Sequence, residues 1–215
     1  MTRLPLPETL RFIKAPGRDA GADTGAVAGL VAEILARVRA EGDAAVRDYT
    51  ARFDGVTPDR VEVSAAEREA AVAALDPQTR ADTEFAIANV RAFAEAQLGA
   101  LSEIEVELRP GVHLGHRNIP LQRVGCYVPG GRYPLLSAPV MTLVPAAVAG
   151  CEEVIACLPP TAHEAMIAGC HLSGAHRIFR IGGAQAIAAM AFGTETVPPV
   201  DKIVGPGNAF VNEAK

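Results

Sequence analysis

Between residues 122 and 215 the chain repeats one pattern: a short apolar segment, a loop rich in glycine and proline, then a longer apolar segment. A strand at 122–128 runs into Pro129-Gly130-Gly131-Arg132. A strand at 177–181 runs into Gly182-Gly183-Ala184-Gln185, and one at 202–204 into Gly205-Pro206-Gly207-Asn208. A further strand at 154–158 ends at Pro159-Pro160. Helices are expected at 138–149, with Pro139 in its first turn and Pro145 kinking it, at 163–172, from the 182–185 loop through Phe192, and again after Asn208. Strand, loop and helix alternating in this way predict a parallel sheet covered by helices.

In such sheets ligands bind beyond the carboxyl ends of the strands, where these loops gather. Glycine loops let backbone N–H groups come close to a phosphate, so a nucleotide is one reading. Tight turns that use glycine for conformational reasons alone are the other. The GxGxxG fingerprint is missing, but three glycine loops at strand ends, two of them with an amide side chain (Gln185 and Asn208), concentrate the possible chemistry there. Tyr127, taken alone, is equally well a strand-end aromatic of the core.

The first half reads as helices. Apolar residues Val27, Leu30, Val31, Ile34, Leu35 and Val38 recur at helical spacing. Gly42 ends that helix, Asp43 can cap the next, and Asp54-Gly55 turns the chain. A short strand is expected at 61–63. Ser64 with Glu67 forms a capping box, and Asp76-Pro77 opens a helix to about Leu98. Residues 104–108 then alternate with period two, Arg109-Pro110-Gly111 turns, and 112–117 returns as a hairpin partner. His113 and His116, three apart in a strand, face opposite ways and make a poor metal pair.

Composition narrows the function classes. Apolar residues make up 49% of the 215, which argues against intrinsic disorder. A net charge of −5 with no basic run excludes nucleic acid as the expected partner. The longest apolar stretch, 135–151, is broken by Pro139 and Pro145 and is too short for a bilayer, so no membrane is expected. Cys126, Cys151, Cys157 and Cys170 lack CxxC spacing and read as buried free thiols in a reducing compartment. A cytoplasmic protein is the expectation.

The segments EGDAAVRDYTARFDG, CYVPGGRYPLLSAPVMTLVPAAVAGC and GGAQAIAAMAFGTETVPPVDKIVGPGNAFVNEAK together resemble the histidinol dehydrogenase family, in order and over nearly all of the chain from about Val27. The resemblance implies an NAD-dependent, zinc-dependent homodimer that oxidises an amino alcohol to the amino acid in two hydride transfers. It implies an α/β fold: a helical N-terminal region with a hairpin over 1–121, then an incomplete Rossmann-like sheet with flanking helices over 122–215. It places Tyr127, Gln185 and Asn208 at the NAD.

Two departures from the family pattern bear on function. Arg132-Tyr133 stands where histidinol-oxidising members usually carry small residues, as in relatives that act on other hydroxylated substrates such as sulfonated diols. The family's zinc ligands and its proton-handling Glu-His pair match nothing before Lys215, so no catalytic or metal residue is assigned in these 215. The expectations are therefore a portion of the enzyme that places the cofactor and is inactive alone, completed by a missing C-terminal half if the protein is split, or a non-catalytic nucleotide-binding remnant.

Overall fold

The computed structural model describes residues 24–130 and 134–215. Two helices open it, α1 (Thr24–Glu41) and α2 (Asp43–Asp54), followed by α3 (Ala65–Ala73) and α4 (Pro77–Gly99). Strands β1 (Ile104–Arg109) and β2 (Val112–His116) form an antiparallel hairpin. The rest alternates: β3 (Arg123–Tyr127), α5 (Ser137–Val148), β4 (Glu153–Leu158), α6 (Glu164–Leu172), β5 (Arg177–Arg180), α7 (Gly183–Phe192), β6 (Lys202–Val204) and α8 (Ala209–Ala214). The fold is thus the expected α/β arrangement, a helical N-terminal region followed by a parallel four-stranded sheet.

Strand order is β5-β4-β3-β6, with every pairing parallel. The chain steps outward from β3 to β4 to β5, then crosses back so that β6 lies on the other side of β3. The order reverses between β3 and β6, and a crevice opens at the carboxyl ends of strands at such a reversal. The glycine loops after β3 and after β6 flank that point.

Period-two alternation sends each strand's residues to both faces, and both are buried. Val154, Ala156 and Leu158 of β4 join Cys126, Leu143, Met166 and Ile178 on one side. Ile155 and Cys157 join Tyr127, Phe179, Ile187 and residues of α1 and α2 on the other. This is why the strands read as continuous apolar runs rather than as polar-apolar alternation. The apolar stripe of α1 (Val31, Ile34 and Val38, each at most 2% exposed) packs on α7 and α8. Each such side chain removed from water contributes about 1.5–3 kcal/mol. Pro145 lies within α5 as expected.

The helix starts follow the sequence with one exception. Ser64 caps α3 in a full capping box with Glu67, and Asp76 caps α4 ahead of Pro77. Asp43 does not cap α2. Gly42 holds that position, and the Asp43 carboxylate instead accepts from Thr196, tying α2 to the segment after α7. A side chain with a tertiary donor within reach has no need of its own helix end. The strand expected at 61–63 is reduced to a single antiparallel bridge, Glu62 to Phe179. Two backbone bonds, Val63 N to Ile178 O and Arg180 N to Val61 O, lay this segment along the outer edge of β5. Arg177 locks it with two 2.8 Å bonds to the Glu62 carboxylate.

Candidate functional site

A cavity of about 450 Å3 lies at the carboxyl end of the sheet beside the β3/β6 reversal. Tyr127, Gln185 and Asn208 all line it, brought together from the ends of three different strand-loop units. Leu30, Phe53 and Asp54 of the N-terminal helices form its opposite wall.

Each of the three expected residues is held differently. Tyr127 ends β3 and is 4% exposed, and its hydroxyl accepts a 3.1 Å bond from Gly183 N. Burial pushes its phenol up, so it stays protonated with its own O–H free to donate. Both readings of Tyr127 hold at once, since it is a core aromatic whose polar end reaches the cavity. Gln185 sits in the first turn of α7 and is only 1% exposed, yet its Oε1 is buried with no hydrogen-bond partner among the described residues. Asn208 caps α8, its Oδ1 accepting from Val211 N at 3.0 Å. That cap commits the amide oxygen and turns the roles around: what Asn208 can offer a ligand is its Nδ2 donor.

Glycine is needed at two places here. Gly183 has φ +63°, and a side chain on it would run into Gln185 Oε1 at 2.6 Å. Gly205 has φ +116°, and a Cβ there would come within 2.1 Å of the Tyr127 carbonyl oxygen. The loop after β6 therefore presses directly against the end of β3, closing that side of the cavity.

Sequence reasoning missed Asp54. It read Asp54-Gly55 as a turn, and Gly55 does end α2 in the left-handed region at φ +69°. Asp54 itself, however, is the last helical residue and lines the cavity, and its Oδ2 is buried without a hydrogen-bond partner among the described residues. The available signal was an aspartate in the last turn of a helix, where cations rather than anions are favoured. Phe53 before it stacks on Tyr49, with ring centroids 5.6 Å apart, carries the Arg52 guanidinium over its ring at 5.3 Å, and stays 46% exposed on the cavity wall.

The other expected residues lie elsewhere. His113 approaches Glu105 and Glu107 on one face of the hairpin, and His116 meets Ser102 O on the other. Among the described residues no group of three or more His, Cys, Asp or Glu could hold a metal ion. Cys126, Cys157 and Cys170 are buried, whereas Cys151 is only half-buried. Arg132 and Tyr133 lie outside the described residues. No described helix is long and apolar enough to cross a membrane.

Comparison with known proteins identifies the lineage of this arrangement. The family model for histidinol dehydrogenase matches residues 18–215. Histidinol dehydrogenase homolog 1 of Mesorhizobium japonicum is 50% identical over 182 residues, covering 83% of this chain and 36% of the relative. Histidinol dehydrogenase of Methanosarcina barkeri is 48% identical (83% of this chain, 42% of that one), and that of Escherichia coli K12 is 46% identical (83% and 41%). The crystal structure of histidinol dehydrogenase from Elizabethkingia anophelis superposes with a TM-score of 0.84 at 33% identity, covering 93% of this chain and 46% of that one. The chain spans less than half the length of each of these relatives. It belongs to the histidinol dehydrogenase family, and its fold is that of the matched part of the Elizabethkingia anophelis structure.

Proposed function

We propose that the cavity at the β3/β6 reversal binds NAD, and that this stretch is the cofactor-placing part of a dehydrogenase acting on a small amino alcohol. The observation that carries the reading is the convergence of Tyr127, Gln185 and Asn208 on one cavity at the topological switch point. The group fits the residues. Gln185 Oε1 is a buried acceptor waiting for a donor, Asn208 Nδ2 and the Tyr127 hydroxyl are donors, and Gly183 and Gly205 let the loops pack closely enough to bring them together. A volume of about 450 Å3 suits the body of a nucleotide and falls within the usual range of small-molecule sites, roughly 300–1,000 Å3.

Bound there, NAD would supply the hydride acceptor for oxidation of the alcohol. The part of this chain is orientation. Gln185 is fixed by burial in α7, Tyr127 by its bond from Gly183, and Asn208 by its cap, so the three polar groups are set before any ligand arrives. The described residues do not fit the family's zinc, so no proton or hydride step is derived from a metal. A homodimer and a cytoplasmic location follow from the family reading. The exposed Val106, Leu108 and Leu114 of the hairpin support a further protein surface against it, and the four unpaired cysteines support a reducing compartment. A second substrate reading, another hydroxylated compound such as a sulfonated diol, draws on the Arg132-Tyr133 sequence.

Titration calorimetry of the 215-residue chain with NAD tests the cofactor reading. Saturable binding is expected, weakened roughly 2- to 10-fold for each hydrogen bond lost in Gln185→Ala and Asn208→Ala. Equal affinity in both variants and the parent would refute these roles. Assays of the full-length enzyme with histidinol and a sulfonated diol separate the two substrates.

A further inference from the structure

Asp54 is held at a cost in several respects. Its carboxylate ends α2, where the helix dipole disfavours an anion. It is partly buried, and burial holds its acid above the usual carboxylate range. Its Oδ2 has no hydrogen-bond partner, and the carboxylate makes no ion pair, among the described residues. None of this serves folding, because an asparagine of the same shape would avoid most of the penalty. A group kept against its own stability in a cavity is a candidate for ligand contact.

The chemistry of the cavity says which contact. In the same cavity the buried Gln185 offers a second unpartnered acceptor, so the lining asks its ligand for donors in two places. A carboxylate offers two oxygens, and the donor pair that matches them is the vicinal diol of a ribose. Phe53, next to Asp54, is 46% exposed on the same wall and offers apolar ring surface to a base attached to that ribose. Among the described residues no lysine or arginine lines the cavity to neutralise an added phosphate.

We infer that Asp54 grips the 2′- and 3′-hydroxyls of the adenosine ribose and thereby makes the site select NAD against its 2′-phosphorylated counterpart. The inference rests on the cofactor reading above. A phosphate on the 2′-oxygen removes a donor and brings a dianion against a half-buried carboxylate, a like-charge contact that is repulsive wherever the two meet.

The test titrates the 215-residue chain with NAD, NADP and the 2′-deoxyadenosine analogue of NAD, then repeats the titrations on Asp54→Asn with melting curves for both proteins. The parent should bind NAD roughly 100-fold or more tighter than NADP, and lose roughly 10- to 100-fold with the 2′-deoxy analogue. Asp54→Asn should weaken NAD by a similar factor, bring the NAD-to-NADP ratio below about 10, and melt no lower than the parent. Parent binding of NAD that ignores both the 2′-deoxy change and Asp54→Asn would overturn the role of Asp54 while leaving the cofactor reading in place. Absence of NAD binding in the parent would overturn the cofactor reading, and this inference with it. A lower melting temperature in Asp54→Asn with the parent's NAD-to-NADP ratio retained would show that the carboxylate is structural, and would also overturn it. The parent's response to the two analogues needs no variant and decides the matter alone if Asp54→Asn does not fold.

Discussion

Gln185→Met should stabilise the unliganded chain and damage cofactor binding in the same molecule. Methionine is unbranched and close in length to glutamine, so it refills the site with no large change in volume, at a packing cost under about 1.5 kcal/mol. What it removes is a buried oxygen with no partner among the described residues on a residue 1% exposed. A buried acceptor left unsatisfied costs about 1–3 kcal/mol. The net gain should be about 1–2 kcal/mol, and for a chain of this size each kcal/mol moves the melting temperature by about 2–4 °C. Differential scanning calorimetry should therefore show Tm rising by roughly 2–8 °C. The same change deletes the acceptor assigned to NAD, so affinity should fall by roughly 10-fold. Function retained at the expense of stability is common at binding sites. A lower Tm together with unchanged NAD affinity would refute the argument, because it would make Gln185 an ordinary packed residue.

Three further outcomes follow from the fold. Gly205→Ala should cost roughly 2–6 kcal/mol, since strained backbone and a collision with the Tyr127 carbonyl add together, whereas Gly174→Ala, also at positive φ but facing open space, should cost only about 1–2 kcal/mol in urea unfolding. Glu67 is held at about 2 by Ser64 and by Arg180, so its ionised form stabilises the fold fully above its ordinary value of 4.5, and this stabilisation is lost as pH falls toward 2. The Tm difference between the parent and Glu67→Gln should accordingly be largest above pH 5 and vanish near pH 2. Burial pushes the Cys126 thiol up to about 12 and raises Cys157 and Cys170 further, so a thiol reagent should label the native chain at half-buried Cys151 and the other three only after unfolding, as peptide mapping would show.

What could be read in the sequence was local or periodic. The strand-loop-helix alternation, the capping box at Ser64 and the Asp76-Pro77 start each depend on residues a few positions apart, and each is present in the structure. The rule that ligands gather at the carboxyl ends of parallel strands pointed to the loops carrying Gln185 and Asn208, whereas Tyr127, and the assignment of all three residues to NAD, came from the family resemblance. The rest depended on packing between distant segments. Asp43 looked like a cap because nothing in its neighbourhood announced Thr196, more than a hundred residues on. Residues 61–63 have strand composition, but the edge of β5 accepts only a single bridge there. Asp54 was hidden by its own Asp-Gly turn, and only the packing of α1 and α2 against α7 carries that turn to the cavity wall.

The central claim, that the cavity at the β3/β6 reversal is the NAD site, is tested most directly by a crystal structure of this chain grown with NAD. The account predicts cofactor density in that cavity, with polar atoms at hydrogen-bonding distance, about 2.7–3.2 Å, from Gln185 Oε1 and Asn208 Nδ2. NAD seated elsewhere on the chain, with both amides untouched, would contradict it.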